Sequence, residues 1–219
     1  MITYDTLRRN EDVKTYIQRA DSALSALGYT EHSFAHVGRV SRVAGDLLLS
    51  LGCDETTVEL TRIAGLLHDI GNVINRVDHS QSGALMAFRL LDRLGMSAEN
   101  ICTVVTVIGN HDEGTGVPVD NVSAALILAD KSDVRRSRVR NRDMSTFDIH
   151  DRVNYSVTSS ELRLNDTKTE ISLSLTVDTK YSSIMDYFEI FMERMKLCLH
   201  AADKLGLRFR LIINEQFIL

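Results

Sequence analysis

Proline occurs once and glycine twelve times in 219 residues, which leaves little material for a long, loop-rich architecture. No window approaches the roughly 18 uncharged apolar residues that a membrane-spanning helix needs, so no membrane association is expected. Cys53, Cys102 and Cys198 are odd in number, far apart and without CxxC spacing. That excludes a disulfide scaffold and fits a reduced setting. The opening residues, MITYDTLRRNEDVK, carry charge where a signal peptide would carry an apolar stretch, and a cytoplasmic location is the matching expectation. What remains is ordinary core material: 44% hydrophobic and 25% charged residues place the chain among globular proteins of one or two domains.

The net charge of -5 hides an asymmetry. Residues 131–142 hold Lys131, Arg135, Arg136, Arg138, Arg140 and Arg142 against Asp133 alone, so the remainder is strongly acidic. General nucleic-acid binding is not expected on that balance, whereas a local phosphate site is allowed. The alternative reading of the run is a solvated helix end.

Up to about residue 136, apolar residues recur at helical spacing, and Gly28, Gly52 and Gly95 follow periodic stretches as C-terminal caps would. Helices are expected at 10–27, 34–51, 54–69, 79–95, 97–110 and 121–136, with Asp54 and Ser97 as N-caps. From about 152 the period becomes two, in Val153, Tyr155 and Val157 and then Ile171, Leu173, Leu175 and Val177, with a turn near Asn165-Asp166. An amphipathic helix carrying Ile184, Phe188, Phe191, Met195, Cys198, Ala202 and Leu205 ends at Gly206, before an alternating strand through Leu207, Phe209, Leu211 and Ile213. The expected fold is mainly α: a helical bundle over 1–142, then a small α+β (β-β-α-β) domain over 143–219. One helix covers one sheet face, so the other face should pack on the bundle or on a second copy, and a homodimer is expected.

Five of the seven histidines, His32, His36, His68, His79 and His111, fall in the helical half. His68-Asp69 closes a strongly apolar helix just before Ile70-Gly71, where a desolvated carboxylate needs a partner or a metal. With its surroundings this half resembles the HD superfamily of metal-dependent phosphohydrolases. His36-Val37-Gly38-Arg39-Val40, with Ala44 a turn later, is similar to the family's first-histidine helix; His68-Asp69 is similar to its HD doublet, in HDIG form; Asp130, in AALILADKSD, is similar to its distal aspartate. His79, in HSQSG, and His111, in IGNHDEGTGVP, resemble further ligands of binuclear members such as the HD-GYP branch. Asp112 stands where that branch has a second histidine, Asn72 where it has lysine, and Gly116-Val117-Pro118 where it has GYP. Cyclic-di-GMP hydrolysis is therefore not carried over.

The resemblance implies a metal set of His36, His68, Asp69, His79, His111 and Asp130, with Asp69 bridging two divalent transition-metal ions, Mn, Fe, Co, Ni or Zn. His79 and His111 also admit a reading as caps or outer-shell groups. Imidazoles and carboxylates suit such ions, and a metal-activated hydroxide held there would attack the phosphate ester of a nucleotide or similar small metabolite. Asp69 and Lys131 are the expected catalytic residues; His32, Arg39, Lys131 and Arg135 are the expected substrate contacts, with a surface position open for His32 and a brace on Asp130 open for Arg39. Two rival readings stay open: a di-iron oxygenase of the same superfamily, and a non-catalytic nucleotide-binding module.

Overall fold

A computed structural model describes residues 2–219. Helices α1 (Tyr4–Arg9), α2 (Glu11–Ala26), α3 (Phe34–Leu51) and α4 (Glu55–Leu67) lead into a 3-10 turn at Ile70–Val73, followed by α5 (His79–Arg93), α6 (Ala98–Gly109) and α7 (Asn121–Lys131). Then come α8 (Ile149–Ser156), β1 (Val157–Leu164), β2 (Glu170–Val177), α9 (Ile184–Lys204), β3 (Arg208–Ile213) and the short β4 (Gln216–Phe217). No helix of the described residues is long and apolar enough to cross a membrane.

Asp54 and Ser97 start their helices as expected, accepting from Thr57 N and Asn100 N, and Ser33 does the same for α3 by accepting from Ala35 N. From Val122 to Lys131 every residue of α7 is buried, so this helix is the axis on which α3, α4, α6 and α9 pack. Two glycines set how closely the neighbouring elements approach. A Cβ on Gly65 of α4 would lie 2.7 Å from Ser41 Cα of α3, and one on Gly71 would lie 2.0 Å from His79 O. Any side chain there would push apart the segments that carry His36, His68 and His79.

One helix adds to the expected set and two expectations need correction. Residues 4–9 form a helix of their own, separated from α2 by Asn10, whose side chain caps the second helix. The helix expected over 121–136 stops at Lys131, because Ser132, Asp133 and Val134 turn inward and are buried. The strand expected from Val153 is instead α8, started by Asp148 accepting from Asp151 N. Val153 and Val157 are four apart and both buried, a spacing that one helical face satisfies as well as alternation does.

In the sheet, ordered β1-β2-β3-β4, β2 pairs antiparallel with β1 and parallel with β3 across α9. Ile171, Leu173, Leu175 and Val177 alternate with polar residues on β2, as do Phe209, Leu211 and Ile213 with Arg208 and Arg210 on β3. Those apolar residues belong to the same hydrophobic cluster as the bundle core, and α9 packs on both α7 and β3. The opposite face carries Glu170 and Arg210, paired at 3.0 Å, with Ser172 and Ser174. It is polar over β1 and β2, while at the β3–β4 edge it carries Ile212 and the exposed Phe217, so any sheet-mediated pairing of two copies would use that edge and not the whole face.

Candidate metal centre

His36 faces inward from the first turn of α3, His68 and Asp69 follow the end of α4, His79 opens α5, His111 follows α6, and Asp130 sits near the end of α7. All six are buried. His36 Nε2 lies 3.2 Å from Asp130 Oδ1 and 3.5 Å from Asp69 Oδ2, and His68 Nε2 lies 3.0 Å from Asp69 Oδ2 and 3.7 Å from Asp130 Oδ1. On the other side His79 Nε2 is 3.6 Å from Asp69 Oδ1 and 3.2 Å from His111 Nε2. Asp69 thus turns one oxygen to each pair of histidines. Among the described residues two overlapping groups, His36/His68/Asp130 and His68/Asp69/His111, have ligand atoms within 4.8 Å of one another.

The donor set passes a direct test for metal binding. Nδ1 of His36 donates to Asp133 Oδ2 at 2.8 Å, that of His68 to Gly65 O at 2.8 Å, that of His111 to Ile108 O at 2.6 Å and that of His79 to Arg76 O at 3.1 Å. Every Nε2 is left as the inward atom. Outer partners of this kind fix the tautomer and orientation of metal-ligating imidazoles. His36 Nε2, His68 Nε2 and Asp69 Oδ2 are buried without a hydrogen-bond partner, an arrangement that costs free energy unless a cation completes it. Asn72, at the position where the family resemblance expects lysine, donates to Asp69 Oδ1 at 3.1 Å and to Asp69 O at 2.9 Å, locking the carboxylate.

The electrostatics divide the histidines in the same way. Burial alone would depress all four, yet Asp130, Asp133 and Asp69 overcome it for His36, which is raised, and Asp69 and Asp130 do so for His68, pushed up to about 10. Burial wins for His111, helped by the charges of His68 and Lys131, and for His79, helped by Arg76. Against burial, His68 and His36 hold Asp69 well below the usual carboxylate range, and Lys131 with the same histidines does so for Asp130. A cation is favoured beside His36 and His68, and neutral imidazoles line the other side.

The centre opens into a cavity of about 450 Å³ lined by Asp69, His79, His111, Asp130 and Lys131. His32 also lines it, from the loop before α3 and not from the helix itself, with its ring 5.3 Å from that of His36. Lys131 Nζ reaches Asp130 Oδ2 at 2.7 Å. Arg39 and Arg135, expected as substrate contacts, do not line this cavity; both turn to Asp133 and line a separate cavity of about 1350 Å³. Arg39 donates to Ser160 O at 2.9 Å with Nε 3.3 Å from Asp133 Oδ1, and Arg135 Nη2 donates to Asp133 Oδ2 at 3.0 Å. The basic run is neither a phosphate site as a whole nor a solvated helix end. Arg136 pairs with Asp178 and stacks on Tyr155, Arg138 is buried against Asp133 O and Glu31 O, and Arg140 pairs with Asp21.

Sequence reasoning missed Arg76, Glu113, His150 and Arg194, all of which line the cavity. For Arg194 a signal existed: it lies three residues after Phe191 and four before Cys198, within the apolar stripe of α9, where a charge needs a reason. Glu113 sat within the IGNHDEGTGVP segment but was not singled out, and nothing local marks Arg76 or His150.

The HD domain family matches residues 33–152. Over 217 aligned residues the chain is 24% identical to the uncharacterized protein MJ1020 of Methanocaldococcus jannaschii, covering 88% of this chain and 82% of that one. No solved structure matches. The chain belongs to the HD domain family, and its two His/Asp groups support a metal-dependent hydrolase in general terms.

Proposed function

We propose that this HD-domain protein hydrolyses the phosphate ester of a small metabolite, a nucleotide being the leading class. In this reading His36, His68, Asp69 and Asp130 hold one divalent ion, while Asp69, His79 and His111 help to hold a second. The observation that carries the reading is that the Nε2 atoms of His36, His68 and His79 converge on the Asp69 carboxylate, two on one oxygen and one on the other, with His111 Nε2 3.2 Å from His79 Nε2 and every Nδ1 engaged elsewhere. Bound ions of the Mn, Fe, Co, Ni or Zn type would supply a water nucleophile at neutral pH and neutralise charge on phosphoryl oxygens.

The chain's own groups do the rest. Asp69 fixes the spacing of the two sides, with Asn72 holding its orientation. Lys131, buried against Asp130, offers its ammonium to a phosphoryl oxygen from the cavity wall. Four cations, Arg76, Lys131, Arg138 and Arg194, line the cavity among five carboxylates, Asp69, Glu113, Asp130, Asp148 and Asp151. Protein charge alone does not favour an anion there, so binding of a phosphate ester should depend on the ions. A cavity of about 450 Å³ has the size of a small-ligand site.

Metal analysis of protein purified without chelator, joined to a turnover screen of phosphomonoesters, phosphodiesters and nucleotides with and without O2, tests the reading. About two ions per chain and O2-independent hydrolysis, abolished by chelation and restored by one of the five metals, are expected. A metal-loaded protein that hydrolyses none of the panel would overturn it.

A further inference from the structure

Glu113, just after His111, is shared by two cations. Arg194, from α9, donates to a single oxygen of it, Oε1, through Nε at 2.8 Å and Nη2 at 2.7 Å, and Lys131 Nζ lies 3.7 Å from the same oxygen. The guanidinium also lies over the Phe191 ring, 4.2 Å from its centroid, so both its plane and its direction are fixed. Arg194 Nη1 takes no part in these contacts. All three ionic groups line the cavity wall beside Asp130 and His111. A pair made only for stability has no reason to face the cavity, or to leave one carboxylate between two cations while Lys131 is already matched by Asp130.

We infer that Arg194 is a substrate-binding residue for the phosphoryl group, and that Glu113 is a placeholder whose carboxylate the phosphate displaces from Arg194 and Lys131. A planar guanidinium meets two phosphate oxygens at once, as it meets a carboxylate, and the exchange trades one anion for another of higher charge. Residues 143–219 thereby supply part of the phosphate recognition, from a helix beyond the segment 33–152 that carries the family match. This inference rests on the phosphohydrolase reading, yet it is tested by binding as well as by turnover.

The probe is inorganic phosphate, titrated calorimetrically into the full chain loaded with Mn. Arg194→Met should weaken phosphate binding roughly 10- to 100-fold, the range for losing a charged hydrogen-bonding pair, and Arg194→Lys should restore part of it. Glu113→Gln should leave binding unchanged or tighten it a few fold, because it releases both cations. Metal content should match the wild type throughout, and KM on p-nitrophenyl phosphate should rise in Arg194→Met more than kcat falls. A purely structural pair predicts instead that both variants weaken binding alike and lower Tm together, and that result would overturn the inference. So would phosphate affinity in Arg194→Met within about twofold of wild type, or no phosphate binding by the wild type at all. If the wild type binds phosphate through Arg194 but hydrolyses no ester, the proposed function fails and this inference stands.

Discussion

The two sides of the centre are built from the same residue types but held differently. His36 is fixed by a fully buried carboxylate, Asp133, on which Arg39, Arg135 and Arg138 also converge. His79 has a backbone carbonyl at Nδ1, and the cation of Arg76 stands 3.1 Å from its Nε2, on the inward side. The first side is a braced ligand with charge support behind it; the second is a ligand that an arginine already contacts. A metal-ligating residue is only as strong as the group behind it, so the His36 side should hold its ion more tightly than the His79 side.

Asp69→Ala should have the largest effect, because it removes a carboxylate whose two oxygens face different sides. Metal analysis should find both ions gone and hydrolysis down by roughly 1000-fold or more, with the helical circular dichroism intact. Retention of one tight ion would break the idea of a shared carboxylate. Asp130→Ala and His79→Ala then separate the sides: the first should deplete the tighter ion, the second only the weaker. Equal loss of both ions in both variants would mean that the asymmetry is not real.

The next effects probe the groups behind the ligands and should differ in sign. Asp133→Asn weakens the acceptor on His36 and should cost roughly 10- to 100-fold in affinity for the tighter ion, read by competition with a chelating dye. Thermal unfolding of the same variant distinguishes loss of the brace from loss of the fold. Arg76→Ala should instead tighten the weaker ion by a few fold, since it removes a cation from beside His79 Nε2. A loss of affinity in Arg76→Ala would show that the arginine supports the ligand and does not compete with the ion.

Much of this was legible in the sequence, and the limits have physical causes. The bundle could be read because its helices are long enough for the 3.6-residue period to stand clear and because caps such as Asp54 and Ser97 mark their starts. The six inward residues were legible through the resemblance of their ordered motifs to the HD superfamily, and the structure brings them together. Positions set by distant partners were not. Arg39 and Arg135 carry the charge of a phosphate site, but Asp133 is what they meet, and no local pattern says which way a basic side chain turns. Glu113 and Arg194 are 81 residues apart, so only the packing of α9 on α7 brings them together. α8 was misread because eight residues allow the two periods to coincide at Val153 and Val157.

The smallest effect is expected at Arg135, and it sharpens the comparison from the strong side. Asp133 receives His36 and three arginines, so the loss of one of them leaves a carboxylate that is still buried, still charged and still bonded to His36 Nδ1. Arg135 is also partly exposed, and an ion pair on the rim of such a network contributes little. Arg135→Ala should therefore change metal content, KM and kcat by less than about twofold, while Lys131→Ala, from the same basic run, changes KM or kcat clearly with metal retained. The measurement is a side-by-side kinetic series on the two variants at fixed metal. A KM that rises as much in Arg135→Ala as in Lys131→Ala would return Arg135 to the substrate and would mean that the arginines around Asp133 serve the phosphate as well as the brace.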